Sequence, residues 1–350
     1  MTWLAVLNHL PALPEALLLV GACVLMLADA RSADRRLGYW IAQSTLLACL
    51  VATLWVLDKS NGAKYYIFSD LFVADTLSHL LKATCYFAVS TALVYSRQYL
   101  LDRGLLRGEF ISLLLFSLLG MMILISANSF LTVYLGLELM SLCLYALVAL
   151  NRESAQATEA AMKYFVLGAL SSGLLLYGMS MIYGATGTLA IPEVARMVGS
   201  LALKDHNFLV FGLVFLVAGV AFKIGVVPFH MWIPDVYHGA PTPVTLVIGS
   251  GPKIAAFAMA VRLLVNALPA LAADWQQMLA LLALLSIALG NITAIAQSNL
   301  KRMLAYSAIA NMGFLLLGLL SGVVDGNARN AEAAYSASLF YIITYAIMTV

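Results

Sequence analysis

Charge is what this sequence has least of: 19 basic and 17 acidic residues among 350. Soluble globular domains carry about 25% charged residues. That shortage, with 63% hydrophobic residues and a mean hydropathy of +0.95, excludes a soluble domain and predicts a polytopic membrane protein. The net charge of +2 gives no sign of a nucleic-acid partner. Cysteine is scarce too. Cys23, Cys49, Cys85 and Cys143 all sit in apolar runs without CxxC spacing, which suits small packing residues better than disulfides or metal ligands. His230 and His238 are too isolated for a metal site, no His pair is spaced for haem, and no GxGxxG follows a strand. These missing signatures predict that the chain binds no metal or redox cofactor and carries no electrons itself. No basic residue precedes Pro11, so the charged n-region of a secretory signal is absent.

What is present is apolar length. A membrane helix needs about 20 apolar residues, and eleven runs qualify: roughly 12–29, 37–57, 71–95, 110–127, 129–150, 160–184, 208–226 with a continuation to 237, 243–266, 275–297, 303–321 and 334–350. The fold class is therefore an all-α membrane helix bundle. With the N-terminus outside, Arg31, Arg35, Arg36, Arg97, Arg103, Arg107, Arg152, Lys301 and Arg302 fall in cytoplasmic loops. Lys59, Lys64, Arg196, Lys204 and Arg329 then fall outside. The excess of basic residues favours this orientation. Residues 191–203, with Pro192 near the start and a mixed apolar-polar pattern, predict a short helix in the outer interface. The last run is still open at Val350, without a polar cap, which predicts a chain that stops inside a span.

Charges inside the runs carry the functional reading. One charge at the centre of a span costs about 2.5–3.5 kcal/mol even on lenient scales, and this chain has several. Tyr134, Glu138, Ser141 and Tyr145 share one helical face, a polar stripe expected to face the bundle. Lys223 precedes Gly225 and Pro228. Pro228 cannot donate to the carbonyl of Ile224, so a broken helix is expected beside the lysine, with freed backbone groups needing partners. Pro234 is expected to repeat the disturbance at His230. Lys253 follows Gly249, Ser250, Gly251 and Pro252, which predicts a second break at the carbonyl of Ile248. No GxxxxGK[ST] motif is present, so the glycines do not signal phosphate binding. Lys163 stands one turn after Glu159, in an order that suits either an interfacial ion pair or a buried relay. Asp75, His79 and Lys82 share a face and read as an interfacial or subunit-contact stripe, with a proton path as the alternative.

At these residues a family resemblance becomes specific. VAFKIGVVPFHMWIPDVYHGAPTPVT, GPKIAAFA and NLKRMLAYSAIANMGF resemble the antiporter-like membrane subunits of respiratory complex I and their relatives in multi-subunit cation/proton antiporters. LPALPEALLLVGACVLMLAD, GLELMSLCLYALVAL and EAAMKYFVLGALSSG point to the N-subunit branch of the bacterial enzyme. The resemblance covers essentially the whole chain. It implies inverted five-helix repeats, each with a broken helix. Helices in 1–108 would precede a first repeat in 109–266 and a partial second in 267–350. By the same resemblance Glu138 pairs with the broken-helix lysine Lys223, Lys253 is the next station, and Lys163 is an accessory base. It further implies a multi-pass subunit of the bacterial inner membrane, partnered by lipid and other membrane-arm subunits. NADH, FMN, iron–sulfur clusters and quinone would belong to those partners or be met indirectly. Asn311 departs from the pattern, standing where the family has histidine, and a second broken helix with its lysine is not in this sequence. The implied function is proton translocation coupled to quinone reduction. A sodium/proton antiporter subunit and a scaffold whose buried charges only fix packing are the competing readings.

Overall fold

The computed structural model describes residues 10–31, 35–200, 206–323 and 331–350. Lys204 and Arg329, residues 201–203 of the interfacial segment and the stretch before Leu10 lie outside them. The helices are α1 (Leu13–Arg31), α2 (Arg35–Ser60), α3 (Thr76–Asp102), α4 (Gly108–Ile125), α5 (Phe130–Val148), α6 (Ala155–Thr186) and α7 (Ile191–Ser200). They continue with α8 (His206–Ile224), α9 (Trp232–Gly239), α10 (Thr242–Ala260), α11 (Ala272–Ile295), α12 (Leu300–Leu320) and α13 (Ala331–Thr349). Strands β1 (Tyr65–Ile67) and β2 (Phe72–Ala74) pair antiparallel between α2 and α3.

Ten segments among the described residues are long and apolar enough to cross a membrane. The eleventh expected span forms α13, but Glu332, three tyrosines and four serine or threonine residues dilute it, and it is not among the ten. The third span starts later than its apolar run suggests. Phe72–Ala74 is a strand, and Asp75 caps α3 by accepting from Ser78 N, with Ser78 Oγ accepting in return from Asp75 N. The interfacial segment is a helix as expected, and Ile191, Val194 and Val198 form its buried stripe.

Helices pack as antiparallel neighbours, α1 on α2, α4 on α5, α6 on α8 and α11 on α12. Small residues allow the close approaches: a Cβ on Gly136 would lie 2.7 Å from the backbone nitrogen of Leu124. Helix α10 is the axis of the bundle. It contacts α3, α4, α5, α8 and α13, and every residue from Val247 to Ala260 is buried. Pro252 does not break it, contrary to expectation, and the helix runs on through a π-helical turn at Val261–Asn266. Neighbours on several sides keep the helix continuous, and Ser250 Oγ donates to Leu246 O at 2.8 Å near the lost bond.

The two ends of the bundle are tied differently. At one end the backbone does it: β2 bridges Ala127, and Ser129 bridges Ala190. At the other end side chains do it, through an ion-pair cluster around Asp235 on α9.

Candidate functional site

The break in α8 falls where the sequence places it. The helix ends at Ile224, Gly225 turns with φ +84°, and a cis peptide bond precedes Pro228. Three of the groups at the break find partners inside the protein. Trp232 Nε1 donates to Phe222 O at 3.1 Å, and Ser286 Oγ accepts from Val227 N at 2.9 Å. Lys253 Nζ donates to Ile224 O at 2.6 Å, the very carbonyl that Pro228 releases. Lys253 is 1% exposed, and its ammonium also stands 5.2 Å from the centre of the Trp232 ring. Pro234 makes no second break, because it sits in the first turn of α9, where a missing N–H removes no helical bond.

Lys223 points back from the end of α8 toward α5. Its Nζ donates to Ser141 Oγ at 2.8 Å and reaches Tyr145 Oη at 3.5 Å. Ser141 donates in turn to Leu137 O at 2.5 Å. Glu138, one turn before Ser141, is half-buried and accepts a hydrogen bond from Ser172 of α6. Glu138 and Lys223 therefore share the polar stripe without forming a direct ion pair among the described residues. The hydroxyl that holds Lys223 belongs to Ser141, one turn along the same stripe from Glu138, and a hydroxyl can both accept and donate. Chemically this is a rotatable link beside a buried amine and a carboxyl: it can accept from an ammonium or donate to a neutral amine.

Lys163 lies apart from these residues, at the far end of α6. It is half-exposed and pairs with both Glu159 at 2.8 Å and Asp235 at 2.9 Å, so the ion-pair reading of its position is the one observed. Arg302 pairs with the other oxygen of Asp235 at 2.7 Å. Burial raises the pKa of the Asp235 carboxyl, but the hydrogen bonds and charges of Lys163 and Arg302 outweigh it and hold the group below its usual value. His238 adds contacts to Gln156 at 2.9 Å and Asn299 at 3.2 Å, and Lys301 Nζ donates to Ala240 O at 3.0 Å. The role of Asp235 was missed by sequence reasoning, although its signal lay inside the WIPD and NLKR motifs.

Asn311 faces a cavity of about 570 Å³ together with Tyr237, Tyr341 and Thr349. Its side-chain oxygen accepts from Tyr341 Oη at 2.7 Å, so the amide is a fixed polar group at that wall. Asp75, His79 and Lys82 correct an expectation: they are buried within the chain, not at a subunit-contact surface. Asp75 forms a bidentate pair with Arg262 at 2.8 Å, and Lys82 pairs with Glu15 at 2.5 Å. Among the described residues no group of three or more His, Cys, Asp or Glu side chains is placed to hold a metal. Cys49, Cys85 and Cys143 are free and buried, and Cys23 is free and exposed.

Comparison with known proteins agrees with this geometry. Residues 127–350 match the family model described as NADH:quinone oxidoreductase/Mrp antiporter, TM. The chain is 57% identical to NADH-quinone oxidoreductase subunit N of Herminiimonas arsenicoxydans, over 98% of this chain and 70% of that protein. It is 55% identical to the same subunit of Polaromonas naphthalenivorans, over 100% of this chain and 69% of the relative. Among solved structures, a chain of respiratory complex I from Thermus thermophilus with bound aureothin superposes with a TM-score of 0.78 at 32% identity, covering 96% of this chain and 69% of that one. A chain of the Mrp complex from Dietzia sp. DQ12-45-1b shares the fold, with a TM-score of 0.83 at 20% identity, covering 96% of this chain and 63% of that one. The chain belongs to the NADH:quinone oxidoreductase and Mrp antiporter membrane family, in its NADH-quinone oxidoreductase subunit N branch.

Proposed function

We propose that Glu138, Lys223 and Lys253 are intramembrane stations for protons in a membrane-arm subunit of NADH:quinone oxidoreductase, with Lys163 an accessory base at the inner end. The observation that carries this is the broken α8. It places two buried lysines on one discontinuity, with Lys223 hydrogen-bonded to the Glu138 stripe and Lys253 to the freed Ile224 carbonyl. A charge change at Glu138 alters the proton affinity of the nearby lysine, so the two titrate as a coupled pair. A proton leaving Lys223 passes by water toward Lys253, whose hold on Ile224 links its own protonation to the position of the break.

The driving reaction, quinone reduction by NADH through FMN and iron–sulfur clusters, belongs to partner subunits in this reading. The division into 1–108, 109–266 and 267–350 fits it, since all three stations fall in the middle segment. The N-terminus is assigned to the outer side by the loop charges.

The test is proton pumping per electron in assembled complexes carrying Glu138→Gln, Lys223→Ala or Lys253→Ala. A lowered ratio in each is expected. Variants that assemble and pump at the wild-type ratio overturn the assignment. Reduced assembly with an unchanged ratio favours the scaffold reading, and a chain that copurifies without flavin and iron–sulfur subunits favours the antiporter one.

A further inference from the structure

A second set of buried charges lies on the side of α10 that faces α3. Glu15 Oε1 and Lys82 Nζ are 2.5 Å apart, and neither group has another hydrogen-bond partner among the described residues. Lys82 is fully buried and stands 4.6 Å from the centre of the Phe72 ring. One turn before it, His79 is also fully buried, and both its ring nitrogens lack a partner among the described residues. Asp75, one turn before His79, is held by Arg262 from the π-helical turn that extends α10. The other titratable groups packed here, Tyr86, Cys49 and Cys85, are buried as well.

Two features argue against simple packing cement. Apolar side chains of the same size would fill this space without the desolvation of four charges. Cement also gains nothing from an imidazole with two open nitrogens, whereas a proton in transit needs such a group. The set has connections at both ends. Cys85, one turn past Lys82, approaches Gly251 O at 3.8 Å, two residues before Lys253. At the other end Glu15 lines an apolar groove of about 710 Å³, walled by Leu19, Phe72, Leu119, Ile123 and Leu135. That groove lies near the end of the bundle that carries the β1–β2 pair.

We infer that Glu15, Lys82 and His79, anchored by Asp75–Arg262, form a second proton-exchange site that opens through Glu15 on this groove. It lies outside the Glu138–Lys223–Lys253 line and does not depend on that assignment. The elementary step is charge-neutral. An N–H bond of Lys82 breaks as an O–H bond forms on Glu15 Oε1, and the ion pair becomes a neutral pair. A further proton, carried on His79 as imidazolium, then passes to the Lys82 amine, restoring the ammonium and leaving a neutral imidazole. The Glu15 carboxyl gives its proton to a water molecule at the mouth of the groove and returns to carboxylate.

A carboxyl that exchanges protons beside an apolar groove reacts with N,N′-dicyclohexylcarbodiimide, which enters from the lipid phase and adds only to the protonated acid. The acid proton moves to a carbodiimide nitrogen as the new C–O bond forms, and acyl migration gives a stable N-acylurea. The assembled complex in its native membrane is labelled over a range of pH and the peptides are read by mass spectrometry. The expected result is N-acylurea on Glu15 that rises as pH falls. Lys82→Met should strengthen it several-fold, His79→Phe should shift its midpoint, and Glu15→Gln should abolish it. No label on Glu15 at any pH, or a label that does not respond to pH, overturns the inference, and the wild-type protein alone decides this if the variants fail to assemble.

Discussion

Lys223 rests on one short hydrogen bond, to Ser141 at 2.8 Å, with Tyr145 more distant at 3.5 Å. Hydrogen bonds to charged groups contribute about 1.5–3 kcal/mol, so Ser141→Ala removes most of the polar support of a buried lysine. It is expected to lower thermal stability by about 2 kcal/mol and to reduce proton pumping per electron, while Ser141→Thr preserves both. Unfolding monitored by circular dichroism and pumping in proteoliposomes check the two parts. Asp75 poses a different single-residue question. Burial pushes its carboxyl up, but the Arg262 hydrogen bonds and charge and the Ser78 bonds bring it from the usual 3.8 down to about 2. A depressed carboxyl favours the folded state by about 2 kcal/mol above pH 4, and that contribution is lost as pH falls from 4 through 2. Asp75→Asn strands a buried Arg262 and is expected to cost about 3–5 kcal/mol near neutral pH, while flattening the acid limb of the stability curve. Melting temperatures of both proteins measured between pH 2 and pH 7 test this. An equal acid limb in wild type and variant would sink it.

At the scale of elements, the decisive piece is the turn between α8 and α9. Gly225 has φ +84°, and a Cβ there would lie 2.8 Å from Lys253 Nζ and collide with Ile233. Gly225→Ala therefore combines backbone strain of about 1–2 kcal/mol with displacement of Lys253 from Ile224 O, and loss of both stability and pumping is expected. Gly187, the cap of α6, has φ +71° with open space where a Cβ would stand, so Gly187→Ala carries the strain alone and is expected to pump normally. Comparing the two variants separates strain from displacement. This break was legible in the sequence because a proline ring and a missing N–H are properties of the residue itself. The continuity of α10 through Pro252 was not, because neighbours distant in sequence pack around that helix. The same limit hid the fate of Asp75 and Lys82. Their spacing placed them on one face, but Arg262, which makes Asp75 a buried ion-paired group, lies 187 residues away. The late start of α3 was hidden for another reason: LFVAD suits a strand and a membrane helix equally well, and only the Asp75 cap decides between them.

Across the whole molecule the two ends differ in chemistry. One end is joined by backbone, through β1–β2, Ala127 and Ala190. The other gathers Arg103, Arg152, Lys163, Lys301 and Arg302, at the α3–α4 and α5–α6 loops and the starts of α6 and α12, with Asp235 and Glu109 as acidic partners. Basic residues concentrate in cytoplasmic loops, so we propose that the ion-paired end faces the cytoplasm and the stranded end faces out. The helix directions are consistent with this, since α3 runs from Asp75 beside the strands to Asp102 at the basic end. The orientation is tested by placing one exposed cysteine at each end, Lys64→Cys beside β1 and Arg103→Cys after α3, with Cys23 replaced by alanine to remove the exposed native thiol. A membrane-impermeant maleimide applied to intact spheroplasts is expected to label Lys64→Cys at once and Arg103→Cys only after the membrane is opened. The reverse pattern would place the basic end outside. It would also turn the groove beside Glu15 toward the cytoplasm, making the second proton-exchange site a point of uptake instead of release.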